Sequence, residues 1–140
     1  MRIRHLNHSL YQVQYHVVWG TRYRRKFLKS YVKQELMQVF LKILKNYPDW
    51  YLHKLNTGAD HVHLLVEIPP KYLLTQVIRL LKSKSSHYLK KKYKFIQKIY
   101  EVGGIWSTGY FISTVGLNEE NIKKYIEKQN QWEVGKNPHE

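Results

Sequence analysis

Two hydrophobic periods alternate along these 140 residues, and turn residues stand wherever one gives way to the other. Period 2 marks strands and period 3.6 marks helices. Their order, β-α-β-β-α-β-α, predicts an α+β fold: a ferredoxin-like antiparallel sheet with helices on one face and an appended C-terminal helix. The length suits one domain spanning 1–140 with a single modest core.

Each element has its own signal. Residues 11–19 alternate Tyr11, Val13, Tyr15 and Val17 against Gln12, Gln14 and His16, which predicts a strand with one buried face. Gly20 and Thr21 end it, and Arg22, Arg24, Arg25 and Lys26 follow as a basic loop. Over 28–47 the residues Val32, Leu36, Val39, Phe40, Ile43, Leu44 and Tyr47 repeat at helical spacing, and Pro48 lies in the stop. Strands are predicted at 50–56 and 61–68, joined as a hairpin by a tight turn around Gly58 and closed by Pro69 and Pro70. A second helix over about 74–91 turns Leu74, Val77, Ile78, Leu81, Ser85 and Tyr88 inward and Arg79, Lys82, Lys84, Lys90 and Lys91 outward. Gly103 and Gly104 break the chain before a fourth strand at 110–115. Asn118 then suits the N-cap of a last helix running to about residue 132, with Glu119 and Glu120 in its first turn.

Composition narrows the function. With no cysteine, disulfides and thiolate metal sites are excluded, and any metal must sit on His, Gln, Asp or Glu. The first ten residues carry no apolar run of a secretory signal, and no stretch approaches the ~20 apolar residues of a membrane span, so a soluble cytoplasmic protein is expected. Lys and Arg number 24 against 10 Asp and Glu, a net charge of +14 that points first to nucleic acid. Binding to ribosomes or acidic partners is the plainer alternative. The 12 Tyr and 4 Trp suit unstacked bases, although most such rings pack in cores.

His61-Val62-His63 is the most informative triplet. On a strand, residues 61 and 63 share a face while Val62 enters the other, so the two imidazoles can share one ion if a third ligand comes from elsewhere. Without support, two water-facing histidines would read equally well. On the last helix, Tyr125 and Gln129 lie four residues apart on a face continuous with Ile122, Ile126 and Trp132. A phenol there is commonly a core tyrosine. A glutamine on an apolar side needs a partner for its oxygen, which a metal beside two histidines would supply. His16 is either a support for the site or strand surface, and Asp60 shapes the turn before the triplet.

At this point the chain resembles the single-tyrosine HUH transposases of small insertion sequences that move as single-stranded DNA. The likeness runs through Tyr15-His16-Val17-Val18-Trp19, Thr21-Arg22-Tyr23-Arg24-Arg25, Asp60-His61-Val62-His63-Leu64-Leu65-Val66, Leu81-Lys82-Ser83-Lys84-Ser85-Ser86, Trp106-Ser107, Tyr110-Phe111, Thr114-Val115-Gly116 and Tyr125-Ile126 with Gln129. The resemblance implies an endonuclease and strand transferase. Tyr125 would attack a scissile phosphate to give a 5′-phosphotyrosine. His61, His63 and Gln129 would hold Mg²⁺ or Mn²⁺. It also implies recognition of DNA hairpins at element ends, with Arg22, Arg24, Arg25, Lys26, Lys82 and Lys84 as candidate phosphate contacts. The bland alternative for the two basic segments is a solvated face. Similar proteins are homodimers with shared active sites, and Gly116-Leu117 before the Tyr125 helix would let that helix dock on either subunit. A non-catalytic RNA-binding module, a replication-initiator nuclease and a relative cutting genomic palindromes are the competing readings. The first leaves His61, His63 and Gln129 unexplained, and nucleases of the second kind are usually larger.

Overall fold

A computed structural model describes residues 4–6, 9–11 and 14–115. Two short strands open it, β1 (Arg4–Leu6) and β2 (Ser9–Tyr11), paired antiparallel as their own two-stranded sheet. The main elements follow: β3 (Gln14–Gly20), α1 (Ser30–Leu44), β4 (Tyr51–Thr57), β5 (His61–Glu67), α2 (Leu74–Lys92), α3 (Lys94–Ile99) and β6 (Phe111–Val115). The fold is α+β. Its four-stranded sheet has the order β4-β5-β3-β6, and every pair is antiparallel. The predicted last helix, with Tyr125 and Gln129, lies outside the described residues.

One face of the sheet is apolar and meets the helices. Val17 and Trp19 of β3, Val62, Leu64 and Val66 of β5 and Leu55 of β4 share one core with Val32, Leu36, Val39, Phe40 and Ile43 of α1 and Val77, Ile78 and Leu81 of α2. Burying each aliphatic side chain contributes about 1.5–3 kcal/mol, so this face holds most of the stabilisation. Aromatic rings finish it at one end: Trp19 meets Phe40 edge-on at 6.2 Å and Trp106 at 5.8 Å, and Phe27 meets Tyr100 and Trp106.

Several boundaries differ from those predicted. The strand expected at 11–19 is two pieces, with Tyr11 in β2 and β3 beginning at Gln14. Only one buried face was expected, yet Gln14 and His16 on the other are each 1% exposed. Hydrogen bonding makes that burial tolerable, because a buried polar group costs little once it is paired. α1 starts at Ser30 rather than 28, since Lys29 before it is extended. It stops at Leu44, and Tyr47 instead stacks on Trp50 at 3.9 Å. On α2 the inward residue near the C-terminus is Leu89, not Tyr88, which reaches out to Glu35 at 3.2 Å. The stretch after α2 forms α3, and an extended Tyr93 breaks the two helices apart.

Candidate metal and nucleic-acid site

β5 sets the geometry. Its alternation sends Val62 into the core, fully buried, and His61 and His63 to the second face, with ring centroids 4.9 Å apart and planes at 82°. Each imidazole is fixed from behind. Nδ1 of His61 lies 2.9 Å from Oδ1 of Asp60, and Nδ1 of His63 lies 3.3 Å from Nε2 of the buried His16. His16 also stacks on His63 at 5.4 Å. The Asp60 carboxylate accepts from Nδ1–H of His61 and leaves its Nε2 for ligation, while His16 holds the orientation of the His63 ring.

Asp60 is itself held from two sides. Its second carboxylate oxygen accepts from Nε of Arg24 at 3.1 Å, and its backbone carbonyl accepts from Thr21 at 2.9 Å. Burial opposes ionisation of Asp60, but the hydrogen bonds from His61 and Arg24 outweigh it and hold the carboxyl below its usual range. Gly58 completes the frame. A Cβ there would fall 2.1 Å from Cε1 and 2.6 Å from Nε2 of His61, so the imidazole occupies space that any side chain would take.

The polar face continues along the sheet. His53, the extra residue at a bulge between Leu52 and Lys54, lies 3.1 Å from Oε1 of the buried Glu67 and 3.2 Å from the Gln14 amide. Among the described residues no third His, Cys, Asp or Glu joins His61 and His63 as a metal cluster. The predicted third ligand, Gln129, lies outside them, as does Tyr125.

The predicted basic loop is a short 3-10 turn, Arg22–Arg24, with positive φ at two successive non-glycine residues, Tyr23 (61°) and Arg24 (55°). Each such residue costs roughly 1–2 kcal/mol. The surroundings over-determine the turn. Arg22 donates its backbone N–H to Ile105 and accepts from the Tyr100 hydroxyl at 2.6 Å, and the Thr21 hydroxyl bonds the Arg25 carbonyl at 2.8 Å. The Arg22 guanidinium bonds the Val102 carbonyl and lies where a Cβ on Gly103, itself at φ 84°, would fall.

The loop after α3 is pinned to α2 and β3. Trp106 Nε1 donates to Ser85 Oγ at 2.9 Å, Lys82 Nζ donates to the carbonyls of Ser107 and Gly109, and Ser107 N–H donates to Gly20. Between this loop and α2 runs an open groove of about 1000 Å³, lined by Arg79, His87, Lys90, Lys91, Gly104 and Tyr110 among others. Of the six predicted phosphate contacts, Arg25, Lys26 and Lys84 are exposed, whereas Arg22, Arg24 and Lys82 are bonded within the protein. Lys82 and Lys84 also lie on different sides of α2, with Lys84 beside Glu35 and Lys42.

Sequence reasoning left His16 unassigned, gave Asp60 only a turn role and missed the steric part of Gly58. An acidic residue immediately before the first histidine, and a glycine three before it, were the available signals.

Known proteins resemble this chain in sequence and fold. The family described as Transposase IS200 like matches residues 9–129. The transposase for insertion sequence element IS200 of Salmonella typhimurium is 32% identical over 124 residues, covering 89% of this chain and 81% of its own. The ISDra2 transposase TnpA of Deinococcus radiodurans is 29% identical over 125 residues, 89% of each chain. The crystal structure of a transposase candidate from Deinococcus radiodurans R1 superposes with a TM-score of 0.73 at 25% identity, over 90% of this chain and 97% of that one. A REP-associated tyrosine transposase bound to a REP hairpin shares the fold, with a TM-score of 0.57 at 13% identity over 79% of this chain and 61% of that one. With its paired histidines on the central strand and a family match spanning most of its length, the chain belongs to the IS200-like transposases, the single-tyrosine HUH class of DNA-cleaving and DNA-joining enzymes.

Proposed function

We propose that this transposase cuts and rejoins single-stranded DNA at hairpin-marked element ends, with Tyr125 as nucleophile and one domain, 1–140, built on a ferredoxin-like frame with an appended Tyr125 helix. The observation that carries this reading is the pair His61 and His63, close together on one sheet face and each tied at Nδ1. Two such imidazoles suit a divalent ion, and Gln129 would supply a third, neutral ligand. Mg²⁺ or Mn²⁺ bound there would polarise a scissile phosphate and stabilise charge on its leaving oxygen.

The chain's own residues do the rest. The Tyr125 phenol gives up its proton as its oxygen attacks phosphorus in line, the P–O3′ bond breaks, and the 3′ oxygen takes up a proton to become a free hydroxyl. The 5′-phosphotyrosine keeps the energy of the broken bond, so another 3′-hydroxyl can reverse the step and release Tyr125. Asp60 and His16 hold the two imidazoles still. Arg25, Lys26, Lys84 and the groove cations Arg79 and Lys91 offer phosphate contacts, while Arg22, Arg24 and Lys82 support the surface on which DNA lies. The fold's occurrence in a protein bound to a REP hairpin favours a hairpin as the partner.

A labelled single strand with a hairpin tests the reading. Wild-type protein forms a covalent adduct in Mg²⁺ and none in EDTA. Tyr125→Phe forms none yet still binds the hairpin. An adduct from Tyr125→Phe would move the nucleophile to another tyrosine. The chain further acts as a homodimer with active sites shared between subunits, a reading that rests on family resemblance and the Gly116-Leu117 joint. Mixing Tyr125→Phe with His61→Ala protein then restores cleavage, and no restoration after proven subunit exchange would assign a complete site to each subunit.

A further inference from the structure

Tyr23 is the most exposed tyrosine among the described residues. It is 72% exposed, yet it and Arg24 hold left-handed backbone angles that bulky residues avoid. Turns that need such angles normally carry glycine or asparagine. The bonds from Thr21, Arg22 and Arg24 to Asp60, Ile105 and Tyr100 sustain this turn, and what the arrangement delivers is an aromatic ring in solvent. Strain that gains no packing points to function.

The ring's neighbours are informative. The Arg22 guanidinium lies over the ring at 5.2 Å, backing one face with positive charge, and exposed Arg25 and Lys26 follow in the chain. Through Arg24 and Asp60 the turn is bonded to His61. Through Arg22 it touches Val102 and Gly103, and Gly103 lines the basic groove. The ring therefore stands on the connection between a cationic channel and the histidine pair. An exposed aromatic flanked by cations stacks on unpaired bases and is indifferent to paired ones, whose faces are covered.

We propose that Tyr23 is a stacking platform for one unpaired base of single-stranded DNA, held next to the His61 end of the site. The proposal rests on the single-strand reading above and adds a base contact to it.

The test separates stacking from charge. A short oligothymidylate and an abasic strand of equal length carry the same phosphates but differ in bases. Wild-type protein prefers the thymidylate. Tyr23→Asn, which accepts left-handed angles and keeps the turn, loses about 5- to 100-fold of thymidylate affinity and leaves abasic binding unchanged. Tyr23→Phe and Tyr23→Trp retain the preference. Equal thymidylate binding by wild type and Tyr23→Asn overturns the proposal. So does a parallel loss for both strands, which would mark a structural or electrostatic role, and so does a shift of Tyr23→Asn toward monomer, which would assign the ring to a subunit contact. The covalent-adduct assay runs separately: a wild-type adduct with no base preference at Tyr23 fails this proposal alone, and a base preference with no adduct fails the cleavage reading alone.

Discussion

At Gly58 the position of a side chain is already occupied by the His61 ring, which makes this glycine part of the site without touching an ion. Gly58→Ala must push the imidazole aside, because the overlap is with a ring held by Asp60 and not with a free side-chain tip. Affinity for Mn²⁺, followed by electron paramagnetic resonance, is expected to fall about 10-fold or more, in the range seen when partners behind metal ligands are lost. Thermal stability should change little, since the turn is at the surface; unchanged Mn²⁺ affinity would disprove the argument. The shared face of His61 and His63 was legible from period 2 alone. The burial of Gln14 and His16 was not, because their pairing with His53 and His63 joins residues up to 47 positions apart. Nor can a sequence show that Arg24 spends its Nε on a carboxylate rather than on phosphate.

Among the elements, α1 and α2 are joined across their exposed sides by Glu35, which accepts from Lys92 at 2.7 Å and from the Tyr88 hydroxyl. The hydrogen bond from Lys92 holds the Glu35 carboxyl below its ordinary 4.5, against a smaller opposing effect of burial, with the Lys92 charge and Tyr88 adding to the lowering. A depressed value stabilises the folded state fully above the unfolded pKa, and the contribution fades as pH falls through the folded one. Urea unfolding should therefore show a small loss below pH 4.5 that Glu35→Gln lacks. An identical acid profile in both proteins would show that the pair adds nothing. The long amphipathic helices and the β4-β5 hairpin were legible because their periods run over many residues. β1, β2 and α3 were not, being three, three and six residues long, too short for a period to emerge.

For the molecule as a whole, the charge of +14 dominates. The logarithm of the affinity for hairpin DNA should fall linearly with the logarithm of salt concentration, as displaced counterions return. Replacing Arg25 and Lys26 with alanine should flatten that slope by about 1–2, since both are exposed and free of the internal duties of Arg22 and Arg24. Fluorescence anisotropy over a salt series measures it, and an unchanged slope would place this turn away from DNA phosphates. The sequence made the excess of charge plain and left its distribution unread: a group of cations lines the groove beside α2, and two of them, Lys82 and Lys90, are at the same time bonded to the carbonyls of the facing loop.

The edge-on pair Trp19 and Trp106 has a practical consequence. One indole belongs to the sheet and the other to the loop that borders the groove, and they meet at 5.8 Å and 74°. Fixed aromatic packing of this kind gives near-ultraviolet circular dichroism that vanishes when packing loosens. The protein thus carries an internal optical gauge of whether that loop is seated. A strand entering the groove without unseating it would leave the signal intact, and one that pries the loop from β3 would diminish it, with no label attached.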